Sequence, residues 1–404
     1  MTAPASGPAP GSLPGPETDT GTGNSVRLAF YYGAVFALIG IHLPFWPVWL
    51  AAKGLEATEI GALIAAGVGV KVVFNPLIAH IADRRGQRRP IMLALALAGL
   101  AAFSLFGVTD GFWALLLVTV MFFAVWSPIM PLGESLTMLS RRRDSASPDG
   151  GKELDYGRIR LWGSLSFMAT AAGAGHVLAG RDPGIIYLAI LSGLAVTVAV
   201  IWALPSTKVP ARTGKRLAAL EILRDRPFCL FITAAALIQA SHAVYYGFGT
   251  LNWKAQGYSE NVIGWLWAEG VAAEIILFAF GARLIRRFGP VRLIALGGLA
   301  GALRWSVTGA ADGLLVLIAM QALHGFTFGA THLGAIYFIA RRMPQALSAS
   351  AQSLYSAVVM GLALGAASLA AGKLYALYGS GAYQAMALLA AAGGGAALML
   401  MRSR

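Results

Sequence analysis

The sequence predicts an all-α membrane protein: twelve transmembrane helices in two homologous six-helix halves, with both termini on the cytoplasmic side. Three observations carry this. Of 404 residues, 57% are hydrophobic and 12% charged, with a mean hydropathy of +0.67, and that charge is about half of what an average soluble domain carries. The apolar residues gather in runs near the ~20 residues needed to cross a bilayer. The basic residues fall between those runs, on alternate links.

Residues 1–24 are rich in Pro, Gly, Ser and Thr and lack the basic start and apolar stretch of a cleaved signal, so they read as a disordered cytoplasmic tail. Runs bounded by charge, Pro or Gly then predict helices over 27–50, 58–82, 90–108, 112–138, 156–179 and 184–204. A basic linker, 205–226, follows. The second set falls at 227–252, 259–285, 290–309, 313–340, 347–372 and 379–401. The division is thus an N-terminal bundle over 25–204 and a C-terminal bundle over 227–404, with no length left for a soluble domain.

Topology accounts for the net charge of +13. Around alternate links, 25 of the 31 Lys and Arg lie on one side, whereas Lys53, Arg181 and Lys254 lie on the other. The positive-inside rule makes the rich side cytoplasmic, in a cell inner membrane. The clusters are short and separated, unlike the continuous basic face of a nucleic-acid binder. The single cysteine, Cys229, cannot form an internal disulfide, and no Cys/His spacing suits a metal. No nucleophile elbow or metal cluster marks an enzyme.

The two halves resemble each other. Asp83-Arg84-Arg85-Gly86-Gln87-Arg88-Arg89 follows the second helix, and Arg286-Arg287-Phe288-Gly289-Pro290-Val291-Arg292 follows the eighth, about half the chain later. A tight basic turn repeated at equivalent places is what a duplicated unit predicts. Asp83, Arg84, Gly86 and Arg88, with Arg286, Arg287 and Gly289, are candidates for a conformational gate. Gly361 and Gly365 permit close helix approach. Pro44, Pro47, Pro128 and Pro131 break backbone hydrogen bonds, which a membrane tolerates where helices bend around a cavity and equally where they bend to pack.

The Asp83–Arg89 turn resembles the signature loop of the major facilitator superfamily, with Ala79 where that motif opens on Gly. Leu43-Pro44-Phe45-Trp46, Ser127-Pro128, Pro131-Leu132, Leu154 to Ser164 and His242 to Gly247 are similar to the phenylpropionate permease group, kin of the lactose permease. The resemblance implies a major facilitator fold, alternating access and proton coupling, with a proton gradient as energy source, no cofactor and a monomeric protein. It leaves the substrate open among sugars, nucleosides and aromatic acids.

Ionisable groups at membrane depth cost about 2.5–3.5 kcal/mol each on insertion scales, so they mark function. They are Lys71, Glu134, Glu269, Glu274, Arg304, His324 and His332. By the lactose permease pattern, Glu134 pairs with Arg158 or Arg160, and Arg304 with His324 occupies the proton-coupling site. The family's carboxylate one turn past that histidine is Thr327 here. The proton then belongs to Glu274, Glu269 or Glu134, of which Glu274 matches the permease group best. Arg160 with Trp162 offers a cation beside an aromatic plane. His42, Trp46, His242, Tyr245, Tyr246 and His332 are further candidates for contact with substrate. Lys71 lies about 18 Å along its helix from the nearest basic turn, too deep to snorkel, and serves an anionic substrate or pairs with Glu134. A sodium site built on Asn75, Asn252 and backbone carbonyls is the alternative coupling. The expected function is secondary transport, as proton-coupled uptake of a small organic solute such as an aromatic carboxylate. A sugar or nucleoside symporter, an exporter, and a non-transporting assembly factor are the alternatives.

Overall fold

The computed structural model describes residues 21–145, 156–205 and 222–402. Most of the expected tail and of the 205–226 linker lies outside them, as do Leu154 and Asp155. The described chain is helical, and ten of its helical stretches are long and apolar enough to cross a membrane.

The first part contains α1 (Gly21–Ala52), α2 (Ala57–Arg85), α3 (Arg89–Ser104), α4 (Phe112–Trp126), α5 (Ile129–Ser145), α6 (Tyr156–Leu178) and α7 (Gly184–Trp202). The second contains α8 (Arg226–Ala240), α9 (Ala243–Ala255), α10 (Glu260–Ala279), α11 (Gly281–Phe288), α12 (Pro290–Ala310), α13 (Leu314–Ala322), α14 (Thr331–Arg342), α15 (Gln345–Tyr355), α16 (Leu364–Tyr378) and α17 (Ala382–Arg402). π-helical stretches, Gly325–Ala330 and Ser356–Ala363, join α13 to α14 and α15 to α16. Several expected helices are therefore single runs with a local break. Ser127-Pro128 separates α4 from α5, where Pro128 cannot donate to the preceding turn. Ser241-His242 separates α8 from α9. The apolar run ending at Arg402 divides at the short turn Gly379–Gly381.

Equivalent pairings recur in the two parts. Helix α7 packs on α1 and α3, and α17 packs on α8 and α12; α2 meets α4 as α10 meets α13. Both basic turns need glycine, because Gly86 has φ +64° and Gly289 φ +73°, a region that side chains avoid. At the first turn Gly86 N–H caps Ala82 O at 3.0 Å and Arg88 pairs with Asp83. Arg84, Arg286 and Arg287 are exposed.

The two ends of the molecule pack differently. At the end far from the basic turns, one apolar cluster spans both parts, joining Phe45, Trp49, Phe103 and Ile190 to Phe248, Trp253, Trp267 and Tyr383. At the basic end the core is split. Leu28, Tyr32, Met92 and Leu136 form one cluster, and Phe228, Phe231, Phe338 and Leu400 another. The far end is pinned by two crossings without side chains: a methyl group on Gly61 would lie 2.8 Å from Gly372 Cα, and one on Gly175 3.1 Å from Gly264 Cα.

Candidate functional site

A cavity of about 470 Å³ lies mainly within the first part, lined by α1, α2, α4 and the start of α5, and closed from the second part by Tyr246, Leu364 and Ser368. Pro47 and Pro131 line it, so at least these two helix breakers sit at the cavity wall. Its aromatic surface comes from Trp46, Phe122, Phe123 and Trp126. Trp46 stacks on Trp49 at 4.4 Å and 9°, and His42 stacks on Trp46 at 5.6 Å and 18°, which fixes these planes against the wall. The polar lining is His42, Lys71, Asn75, Thr119, Ser127, Tyr246 and Ser368, with no Asp or Glu among the lining residues.

Beyond Tyr246 lies a buried polar network. The Tyr246 ring stacks on His242 at 5.4 Å and 24°. The partners of each group assign its protons. His242 Nδ1 faces the carbonyl of Ile238 at 3.1 Å and must donate, so its Nε2 accepts from the Thr327 hydroxyl at 3.1 Å. Thr327 in turn accepts from Arg304 Nη1 at 3.1 Å. Arg304 Nη1 also donates to His324 Nδ1 at 2.7 Å, and Arg304 Nη2 to Gln321 Oε1 at 2.6 Å. His324 Nδ1 is thus an acceptor, and its Nε2–H meets Glu274 Oε1 at 2.8 Å. Gln321 Nε2 donates to Leu266 O at 2.9 Å and Tyr245 Oη at 3.0 Å. The Arg304 guanidinium, 0% exposed, lies 4.7 Å from the Tyr245 ring and 4.3 Å from the Trp305 ring. Local structure makes this possible. The helix break after Ser241 delivers His242, and the π-helical stretch after His324 presents Thr327 on a widened turn.

The structure gives the sequence-predicted residues their neighbours. Arg304 does not touch Glu274, because a neutral His324 lies between them. Thr327, where the family's carboxylate is missing, holds Arg304 through a hydroxyl. His242 and Tyr245 are committed to this network and do not line the cavity, although Trp46, Lys71, His42 and Tyr246 do. Arg160 and Trp162 lie on different faces of α6, since residues two apart point about 200° apart on a helix. Trp162 is 56% exposed, whereas Arg160 lies 4.0 Å from the Phe36 ring and 5.6 Å from that of Tyr32. Glu134 lies in electrostatic range of Arg160, and among the described residues neither Arg160 nor Lys71 forms an ion pair with it. Glu269 is half-buried in the field of Arg304. His332 stacks on Phe328 at 5.9 Å, with Tyr355 Oη 3.5 Å from its Nδ1. Asn252 is buried and does not line the cavity.

Sequence reasoning missed Ser127, Gln321 and the Phe122, Phe123 and Trp126 wall. Gln321 had one legible signal: it is three residues before His324 on the same helical face. The cavity wall had none beyond apolar composition.

Residues 25–385 match the model of the MFS_1 like family. The chain is 34% identical over 376 residues to a probable 3-phenylpropionic acid transporter of Escherichia coli (strain K12), covering 90% of this chain and 94% of that one. It is 30% identical over 343 residues to a maltose permease of Geobacillus stearothermophilus, covering 82% and 83%. Its fold superposes on a mutant of the nucleoside transporter NupG with a TM-score of 0.81, covering 94% and 99% at 16% identity. The chain belongs to the MFS_1 like family and is a multi-pass secondary transporter of the major facilitator superfamily, not an enzyme.

Proposed function

We propose that this chain is a proton-coupled uptake permease of the bacterial inner membrane for a small organic solute, an aromatic carboxylate being the favoured class. The observation that carries the reading is the continuous path from the solute-sized cavity through Tyr246 and His242 to Thr327, Arg304, His324 and Glu274. A cavity of this volume suits a small ligand. Aromatic walls around a single lysine favour an aromatic anion over a sugar, whose hydroxyls need many acceptors.

Glu274 is the proton acceptor in this reading. His324 Nδ1 is occupied by the Arg304 N–H, and Arg304 itself stays charged. Glu274 therefore holds the accessible lone pairs at the end of the chain. Glu274 lies in the field of His332 and Arg160 and, across the imidazole, of Arg304, so loading a proton on it changes the hold on His324 and hence on α13 and the π-helical stretch.

Twelve crossings follow when α6 is added to the ten apolar stretches and the last of them is divided at Gly379. Both termini then lie on the basic, cytoplasmic side. The merged apolar cluster at the far end and the split clusters at the basic end support an inward-facing state. The gating turns at Gly86 and Gly289 lie at the end that must close when the far end opens. The default state is a monomer needing only protons, bilayer and solute.

The test is uptake by proteoliposomes under an imposed inward proton gradient, with 3-phenylpropionate, cinnamate, maltose and a nucleoside as probes. Gradient-dependent accumulation of an aromatic acid supports the reading. Accumulation of the sugar or nucleoside alone would replace the substrate class, and outward pumping would reverse the direction.

A further inference from the structure

We propose that Lys71 and Asn75 form a two-pronged carboxylate anchor on α2, held in register by Ser127, which makes this cavity selective for aromatic monocarboxylates. The proposal rests on the transport reading above and adds where, and by which groups, the substrate's charge is held.

Lys71 and Asn75 are four residues apart, so they stand one turn above the other on one face of α2, and both line the cavity. Among the described residues Lys71 has no carboxylate partner. The structure instead sets its ammonium 5.2 Å from the Phe123 ring centroid, a contact that leaves its N–H donors for a ligand. Asn75 is oriented rather than free. Ser127 Oγ donates to Asn75 Oδ1 at 2.8 Å across the α4–α5 break, which occupies the amide oxygen and leaves the NH₂ as the side that can serve a ligand. A cation and an amide donor one turn apart suit the two oxygens of a carboxylate.

The charge balance of the wall narrows the ligand further. The lining contains one lysine and no acidic residue, so a monoanion neutralises it, a dianion leaves a negative charge in an apolar cavity, and a neutral sugar leaves Lys71 unpaired. Arg160, over Phe36 and Tyr32, does not line the cavity, and Arg304 already has His324, Thr327 and Gln321 as partners and is fully buried. Arg304 has no need of the substrate's carboxylate. The remaining wall around the anchor is Trp46, Phe122, Phe123 and Trp126, with Phe122 stacked on Trp126 at 5.9 Å and 12°, a surface for an aromatic ring.

The test is calorimetric binding of 3-phenylpropionate and of its neutral isostere 3-phenylpropanamide to the full chain in nanodiscs. Wild type binds the acid more tightly than the amide. Lys71→Gln weakens acid binding by about tenfold to a hundredfold, as expected for a charge-assisted hydrogen bond, and leaves amide binding within about twofold. Lys71→Arg keeps the preference for the acid, and Asn75→Leu loses part of it, which separates anchoring from folding. The anchor is overturned if Lys71→Gln retains the preference, if it weakens acid and amide equally, or if wild type does not distinguish the two. If wild type binds neither while it binds a sugar or nucleoside, the aromatic-acid reading falls and the anchor with it.

Discussion

Glu274 and Arg304 are the opposite charges of one buried cluster, yet they are joined only through the ring of His324, 2.8 Å from one and 2.7 Å from the other. A direct pair in low dielectric would hold its proton state rigidly. An interposed neutral imidazole transmits the field while leaving Glu274 free to load a proton.

Glu274→Gln should abolish accumulation driven by a proton gradient while leaving exchange of substrate across the membrane intact. Counterflow measured beside gradient-driven uptake in the same proteoliposomes checks this. Loss of both activities would give Glu274 a structural role instead.

Arg304→Lys should lower stability by about 1–3 kcal/mol, because one ammonium cannot reach Gln321, His324 and Thr327 in the planar fork that Arg304 uses, and a buried acceptor is left unpaired. A thermal shift in detergent, with Trp162→Ala as a surface control expected near wild type, reads the difference.

Gly61→Val and Gly264→Val should each wedge open the far end. A methyl group at Gly61 meets Gly372 Cα at 2.8 Å, and one at Gly264 would press on Ala171 O. Transport should fall at least tenfold while substrate still binds, and a cysteine placed on the cavity wall should become more reactive from outside. Unchanged transport in both variants would remove the inward-facing assignment.

Gly86→Ala forces a side chain into the left-handed region at φ +64°, at a cost of about 1–2 kcal/mol, and disturbs the turn holding Asp83 against buried Arg88. Slower transport with unchanged equilibrium binding is the expected result, measured by initial rates and by binding on one preparation.

Much of the fold was legible because bilayer length, basic links and helix punctuation act locally. Each expected span falls on a helix or a broken run of helices, although the helices run six or seven residues past the expected ends at Gly21, Ser145 and Tyr378, and the breaks have local causes such as Pro128 or the turn at Gly379–Gly381. The membrane-depth charges were equally legible by cost. What they touch was not, since His324 lies between Glu274 and Arg304 only once α10, α12 and α13 pack. Trp162 shows the converse error: two residues close in sequence look paired, but helical geometry turns them apart. Lys71 was visible as an anomaly and Ser127 as part of a family motif, whereas the hydrogen bond by which Ser127 orients Asn75 is long-range and carried no signal in the sequence.

Proton movement with substrate is read by adding 3-phenylpropionate outside proteoliposomes that contain a trapped pH dye, compared with protein-free liposomes and with Glu274→Gln. Proton symport through Glu274 gives protein-dependent acidification of the lumen above the passive entry of the free acid, absent in Glu274→Gln. Substrate uptake that is protein-dependent but brings no protons beyond that passive background, or acidification unchanged by Glu274→Gln, would contradict it.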